Sequence, residues 1–131
     1  MTNDPNRRTT AGLRASLLDL LETLSSRELQ QRYQDDVPIA NVPAELVCGW
    51  FDDLYLPEVP GFVASFGEAE LEALAEFNRV FDSLVDSLPE THDVQVLWEA
   101  PAWQDIEAAA VKAMGVMELR APRADDALGA S

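Results

Sequence analysis

The chain is 131 residues long, has 47% hydrophobic residues and carries a formal net charge of −15 at pH 7. This length fits one domain with a buried core, and the apolar content excludes wholesale disorder. The negative charge repels nucleic acid and anionic membranes and attracts basic proteins, so we expect no nucleic-acid partner and no membrane partner.

The negative charge is concentrated in the middle of the chain. Between Tyr33 and Val111 the sequence has seventeen carboxylates and one basic side chain, Arg79, whereas the flanking segments hold eight basic and seven acidic residues. No apolar run reaches the roughly 20 residues that a membrane-spanning helix requires, and no signal-peptide pattern is recognisable. We therefore expect a cytoplasmic protein whose folded part carries nearly all of the charge.

Two helices are predicted in the N-terminal third. Apolar residues recur at helical spacing from about Thr10 to Leu24, which predicts the first helix. Ser25 and Glu28 are spaced as in a capping box, and a second, short helix is predicted over 26–34. The apolar face of the first helix has a leucine seam that consists of Leu13, Leu17, Leu20 and Leu24.

A third helix is predicted from Pro43, which suits a first helical turn, to Tyr55. Cys48 lies among apolar residues of this helix, so we expect a buried, unreactive thiol; as the one cysteine, it forms no intrachain disulfide. Gly49 in mid-helix costs about 1 kcal/mol relative to alanine, which indicates a close approach by another helix. The apolar face of this helix consists of Leu46, Val47, Trp50, Phe51 and Leu54.

The longest helix is predicted over 66–88, after an apolar, proline-bounded loop over 56–66. Ser65 and Glu68 are spaced as in a second capping box at its start. Asn78 lies on the inward side of this helix, where a buried amide needs a partner, so we expect a structural hydrogen bond to a neighbouring helix or loop. The other inward residues are Leu71, Leu74, Phe77, Phe81, Leu84, Val85 and Leu88.

The rest of the chain completes an all-α prediction. Residues 92–99 fit a short helix better than a strand, because a lone strand has no partner to pair with. Pro101 begins the final predicted helix. The fold class is therefore a single-domain bundle of five or six helices over 10–119, joined by short connections capped by proline and serine. The ends, 1–9 and 120–131, are expected to be flexible.

The sequence contains no recognisable catalytic, metal-binding or cofactor-binding motif. His92 is the only histidine, so the Glu-x-x-His pairs of carboxylate-bridged metal sites are absent, and no stretch has the pattern of a calcium loop. A nucleophile elbow and a glycine-rich phosphate loop are also missing. We therefore predict that the protein is not an enzyme and binds no metal and no cofactor.

The acidic side chains are interpreted as a surface for a basic protein partner. Asp52 and Asp53 are adjacent and repel each other unless a cation or an arginine meets them. The loop over 56–66 either assists binding or lies over the core. A solvated helix face with no partner is the alternative interpretation of the same acids. The candidate partner-binding residues are Glu45, Asp52, Asp53, Tyr55, Glu68, Glu72, Glu76, Asp82 and Asp86.

The segment CGWFDDLYLPEVPGFVASFGEAELEALAEFN is similar to small helical bacterial proteins, and the chain resembles, at the level of class, immunity proteins of polymorphic or contact-dependent toxin systems. Such proteins are often short, cytoplasmic, acidic and without catalytic motifs, and they cover the active surface of a basic toxin. The resemblance implies an inhibitor of a basic toxin domain, for example a nuclease. The alternative is a structural or assembly bundle that forms a homodimer through the leucine seam and whose acidity serves only solubility.

Overall fold

The computed structural model describes the backbone of residues 5–120 and the side chains of residues 12–117, and this part of the chain contains helices and no strand. The all-α prediction is confirmed. A π-helix, Gly49–Leu54, continues the third α-helix, and a 3₁₀ turn, Val85–Ser87, continues the fifth. The α-helices are α1 (Pro5–Leu24), α2 (Arg27–Asp36), α3 (Val42–Cys48), α4 (Pro60–Ala64), α5 (Glu68–Leu84), α6 (Val94–Trp98) and α7 (Pro101–Arg120).

The ends of the first helices differ from the prediction. α1 begins at Pro5, five residues before the expected start at Thr10. Ser26, and not Ser25, caps α2, because the Ser26 side chain accepts a hydrogen bond from the Leu29 N–H at 3.2 Å. Residues 1–4 and 121–131, parts of the ends that were expected to be flexible, lie outside the described residues.

The third predicted helix is α-helical only as far as Cys48. The π-helix that follows is closed by a hydrogen bond of 2.9 Å from the Tyr55 N–H to the Trp50 carbonyl, five residues earlier. Gly49 faces α1, and a Cβ added there would lie 3.4 Å from a methyl carbon of Leu20. The expected close approach is therefore confirmed, but it is an ordinary van der Waals contact that an alanine could also make.

The loop expected over 56–66 contains the short helix α4. Its two phenylalanines, Phe62 and Phe66, are buried in the core, whereas Val59 and Val63 are 42% and 46% exposed. The aromatic side chains of this segment are therefore part of the core, whereas its valines remain on the surface. Among the described residues, none of the helices combines the length and the apolar character that crossing a bilayer requires.

The leucine seam of α1 belongs to the core of the bundle. Leu17 and Leu24 of the seam are 0% exposed, and they belong to the same apolar cluster as buried residues of α5 and α7. Leu13 and Leu20 are partly buried against that cluster. The buried leucines of the seam are therefore not available for the interface of the alternative homodimer, because they already pack within one chain.

A layer of glutamine side chains joins α2 to the end of α1 and to α6. Gln30 is fully buried, donates to the Thr23 carbonyl at 2.9 Å and accepts from the Trp98 indole N–H at 2.6 Å. Gln34 accepts from the Val94 N–H at 2.8 Å and so satisfies a free donor at the start of α6. The short helix predicted within 92–99 is confirmed, and it is held by side chains of α2.

The core position of the seam can be tested at Leu17. Replacement of this fully buried side chain by alanine leaves a cavity and should lower the free energy of unfolding by about 2–5 kcal/mol in urea denaturation. Val111→Ala is the matched control: this side chain is 56% exposed, and its loss should change stability by less than about 0.5 kcal/mol. Equal stability of both variants would contradict the assignment of the seam to the core.

Candidate functional site

The structure places the acidic candidates for partner binding on the surface. Tyr55, the one aromatic candidate, is half-buried and stacks on Trp50 with ring centroids 4.9 Å apart, so it also supports the core. The exposed candidates are Glu45, Asp52 and Asp53 on α3 and the π-helix, Glu68, Glu72, Glu76 and Asp82 on α5, and Asp86 on the 3₁₀ turn.

Few of these acids are neutralised by neighbouring bases. Residues 12–117 include twenty carboxylates and five basic side chains. Four of the twenty carboxylates form ion pairs in this region, so sixteen have no such partner there. Lys112 is the one base of the region without an ion pair within it, since the four arginines are used in the pairs Arg14–Glu70, Arg27–Glu107, Arg32–Glu28 and Arg79–Glu76.

One glutamate of the acidic middle is buried and sets the position of α5. Glu70 is 3% exposed and accepts two parallel hydrogen bonds of 2.9 Å from the guanidinium of Arg14 on α1. Arg14 also donates to the Ser65 carbonyl at 2.9 Å, and its guanidinium lies over the ring of Phe66. Because the pair is bidentate, it fixes both the distance and the orientation of α5 relative to α1.

The same glutamate caps its own helix. The Gly67 N–H donates to Glu70 at 2.9 Å, so Gly67 is the N-cap of α5. The predicted capping box of Ser65 and Glu68 is therefore wrong, and the Ser65 hydroxyl donates instead to the Gly61 carbonyl at 2.6 Å. The sequence offered no signal for Glu70, because it lies in a run of four glutamates spaced two or four apart.

A second polar contact positions the π-helix against α5. The indole N–H of Trp50 donates to the Asn78 side-chain carbonyl at 3.0 Å, which confirms the expected structural hydrogen bond of this amide. One residue further on, the rings of Phe51 and Phe81 pack with centroids 4.9 Å apart. Asp52 directly follows these contacts, so the acidic end of the π-helix is held beside α5.

Cys48 is exposed, so the expectation of a buried thiol is wrong. The reason is geometric: residues two apart in a helix point about 200° away from each other, so Cys48 cannot share the face of Leu46. The thiol lines a groove of about 560 Å³ between α3 and the segment before α6, and His92 lines the same groove. Sequence spacing alone gave no reason to place these two side chains together.

The surroundings of Cys48 do not activate its thiol as a nucleophile. Partial desolvation, and then the negative charges of Asp52, Asp53 and Glu45, raise the pKa of the Cys48 thiol above its ordinary value. A thiol with a raised pKa is protonated at neutral pH and reacts slowly. In the part of the chain with described side chains, no three His, Cys, Asp or Glu residues are grouped so that they could hold a metal ion.

A second groove, of about 420 Å³, runs between α5 and α7. Its lining combines alanines of both helices with two of the predicted partner-binding residues, Glu72 and Glu76, and with Lys112. The sequence prediction placed these two glutamates on the surface but gave no indication of an apolar groove beside them. The groove results from the packing of two helices that are distant in sequence.

Comparisons with known proteins identify no relative from which a function could be transferred. No protein-family model matches the chain, and it matches neither a curated protein nor a solved structure. The resemblance to toxin-immunity proteins therefore stays a prediction, and a function has to be inferred from the geometry and charge of the molecule itself.

The structural role of the buried ion pair can be tested by Glu70→Gln. This variant leaves the Arg14 guanidinium without its anion and should lower the free energy of unfolding by about 1–3 kcal/mol, less than for a fully buried pair because Arg14 is 28% exposed. Glu76→Gln removes the partner of an exposed arginine on the same helix and should lower stability by less than about 0.5 kcal/mol. Urea denaturation of both variants measures the difference, and equal losses would contradict the proposed role.

The field of the acidic patch can be measured at Cys48. Iodoacetamide should alkylate this exposed thiol more slowly at pH 8 than it alkylates a free cysteine, because the raised pKa lowers the thiolate fraction. Asp52→Asn removes a neighbouring charge and should increase the rate roughly two- to fivefold. Asp105→Asn changes the net charge equally at a distant position and should leave the rate unchanged. Mass spectrometry gives the alkylation rates. An Asp52→Asn rate equal to that of the unmodified chain would show that the Asp52 charge does not raise the pKa of the Cys48 thiol.

Proposed function

We propose that the protein is an acidic binding protein that inhibits a basic protein partner, most concretely an immunity protein that blocks a basic toxin domain such as a nuclease. One observation carries this proposal: between residues 12 and 117, sixteen carboxylates have no ion-pair partner in that region, against the single base Lys112. Such a surface attracts a basic protein over long range and increases the rate of association.

The rigidity of the acidic surface supports a binding role. α5 is fixed to α1 through Arg14 and Glu70, and the π-helix is fixed to α5 through Trp50 and Asn78. The carboxylates on these helices therefore have preset backbone positions, and a partner would order little additional chain on docking.

The chemistry of a toxin domain fits this surface. A nuclease binds the phosphates of its substrate with lysine and arginine, and carboxylates can form ion pairs with the same lysine and arginine side chains. In this proposal, Glu45, Asp52 and Asp53 form one contact area beside Tyr55, and the acids of α5 form another. The protein would act in the bacterial cytoplasm, without a cofactor and without a catalytic step of its own.

The burial of the leucine seam does not support the alternative function of a structural bundle that dimerises through this seam. A homodimer through the leucine seam would require side chains that the fold already buries, among them Leu17 and Leu24. The remaining form of the alternative is a helical bundle whose acidity prevents association with its own copies. The two functions differ in one measurable property, which is the retention of a basic protein at low ionic strength.

Affinity capture tests the proposal. The immobilised protein should retain a basic protein, such as a toxin domain encoded beside it, at about 50 mM NaCl and release much of it at about 500 mM, because screening shortens the range of the attraction. Co-expression with that domain should restore growth. If no basic protein is retained at the lower salt concentration, the inhibitor proposal is rejected and the acidity is assigned to solubility.

The contribution of the π-helix patch can be measured by replacing Asp52 and Asp53 with asparagine. Loss of these two charges should slow association with the captured partner about three- to tenfold at low salt and flatten its salt dependence. Asp35 and Asp36 at the end of α2 are a matched control, because they are also adjacent and exposed. Stopped-flow kinetics of both double variants separate the effects. An unchanged association rate for the Asp52 and Asp53 variant would show that these two residues belong to a solvated helix face and do not contact the partner.

A further inference from the structure

We propose that the groove between α5 and α7 receives the apolar face of a basic amphipathic helix of the partner. This inference rests on the proposed function and adds to it the kind of segment that binds and the place where it binds. Surface charges increase the association rate but contribute little to affinity, so a tight inhibitor also needs a desolvated apolar contact. The groove is an apolar site with predicted partner-binding acids on its edge.

The groove has the length of a short helix. Phe81 near the end of α5 contacts Trp103 near the start of α7, with ring centroids 6.4 Å apart, so the two helices are antiparallel. The α5 side of the lining extends from Ala69 to Val80, which is about 17 Å at 1.5 Å per residue. About three turns of a partner helix would fit along this distance, as in other helix-in-groove complexes.

The floor of the groove is apolar and incompletely filled by the chain. α5 contributes Ala69, Ala73 and Phe77 to the lining, and α7 contributes Ala109 and Ala113. Phe77 is 1% exposed and Ala113 is 3% exposed, so the floor is part of the core surface. Alanine is the smallest apolar side chain with a Cβ, so its methyl groups leave space for leucine or valine side chains from outside.

The charges at the two rims select the partner. Glu72 and Glu76 line the α5 rim, and Glu68 lies one turn before Glu72 on the same side of the helix. Glu68 and Glu72 form no ion pair with another residue of the 12–117 region, and Glu76 pairs with the exposed Arg79. The partner helix should therefore present lysine or arginine toward α5.

The α7 rim of the groove favours one orientation of the partner helix over the other. Lys112 is the basic side chain on the α7 side of the groove, and it has no ion pair within the described side chains. A partner helix with lysine or arginine on one flank and a glutamate on the other would match both rims. The reverse orientation would place like charges together, which is unfavourable.

The test uses a synthetic amphipathic helix of leucine and lysine, about five turns long, and an otherwise identical peptide of leucine and glutamate. Alanine methyl groups labelled with ¹³C report on the binding position. The leucine–lysine peptide should shift the methyl signals of Ala69, Ala73 and Ala109 and leave Ala44, which lies beside the other groove, unchanged. The leucine–glutamate peptide should shift none of them.

Two pairs of variants separate groove binding from general attraction. Ala73→Met fills the groove and should weaken peptide binding about tenfold, whereas Ala44→Met should have no effect. Glu72→Gln with Glu76→Gln should weaken binding more than Glu22→Gln with Glu99→Gln, which removes two exposed charges elsewhere. Thermal unfolding confirms that each variant is folded, and the methyl shifts of the unmodified chain test the groove without any substitution.

The outcomes distinguish the groove from the proposed function. The groove proposal would be overturned if the leucine–lysine peptide bound without shifting the groove alanines, or if Ala73→Met left its binding unchanged. A captured basic partner would still support an acidic inhibitor in that case. Equal shifts with both peptides would overturn the preference for a basic helix. Sedimentation as a dimer that Ala73→Met dissociates would identify a second copy of the chain as the occupant and would overturn the proposal. The inhibitor function itself is decided by affinity capture.

Discussion

The bidentate ion pair between Arg14 and Glu70 is the buried charged contact that the surrounding helices and turn have to satisfy. It joins α1 to the start of α5, and the two side chains also bind the Ser65 carbonyl and the Gly67 N–H at the turn between α4 and α5. A buried charge requires such a full set of partners, because an unpaired one would be strongly destabilising. The pair thus acts together with the apolar face of α5, which buries Phe77 and leaves Glu68, Glu72 and Glu76 exposed.

The surface of the described region is negatively charged because its carboxylates outnumber its bases, and its arginines are used in ion pairs within the fold. Each of the four arginines with a described side chain is paired internally, so most carboxylates face solvent without a nearby base. In the proposed complex, charge of one sign would favour recognition of an oppositely charged protein, and the apolar groove beside Glu72 and Glu76 would supply the desolvated contact that charge alone lacks. Binding would thus combine fast electrostatic attraction with a local apolar interaction.

Much of the fold could be predicted because helical periodicity is a local property. The outward glutamates and inward phenylalanines of α5, the short helix α6 and the hydrogen-bonded role of Asn78 all follow from residues three or four apart. The predictions that are wrong are the capping boxes that begin at Ser25 and Ser65 and the burial of the Cys48 thiol. Glu70 could not be distinguished from neighbouring glutamates without Arg14, and Cys48 was judged by its neighbours in sequence although adjacent residues do not share a helix face. The seam has the same spacing whether it packs within one chain or between two.

The helical class, the approximate helix positions and the excess of negative charge can be read from the amino-acid sequence, since these depend on local spacing and composition. The burial of Glu70, the change from α-helix to π-helix at Gly49 and the alanine-lined groove between α5 and α7 become visible only in the folded chain. The physical reason is that each of these features depends on contacts between residues far apart in the chain, and a pattern read along one helix contains no information about the helix that packs against it.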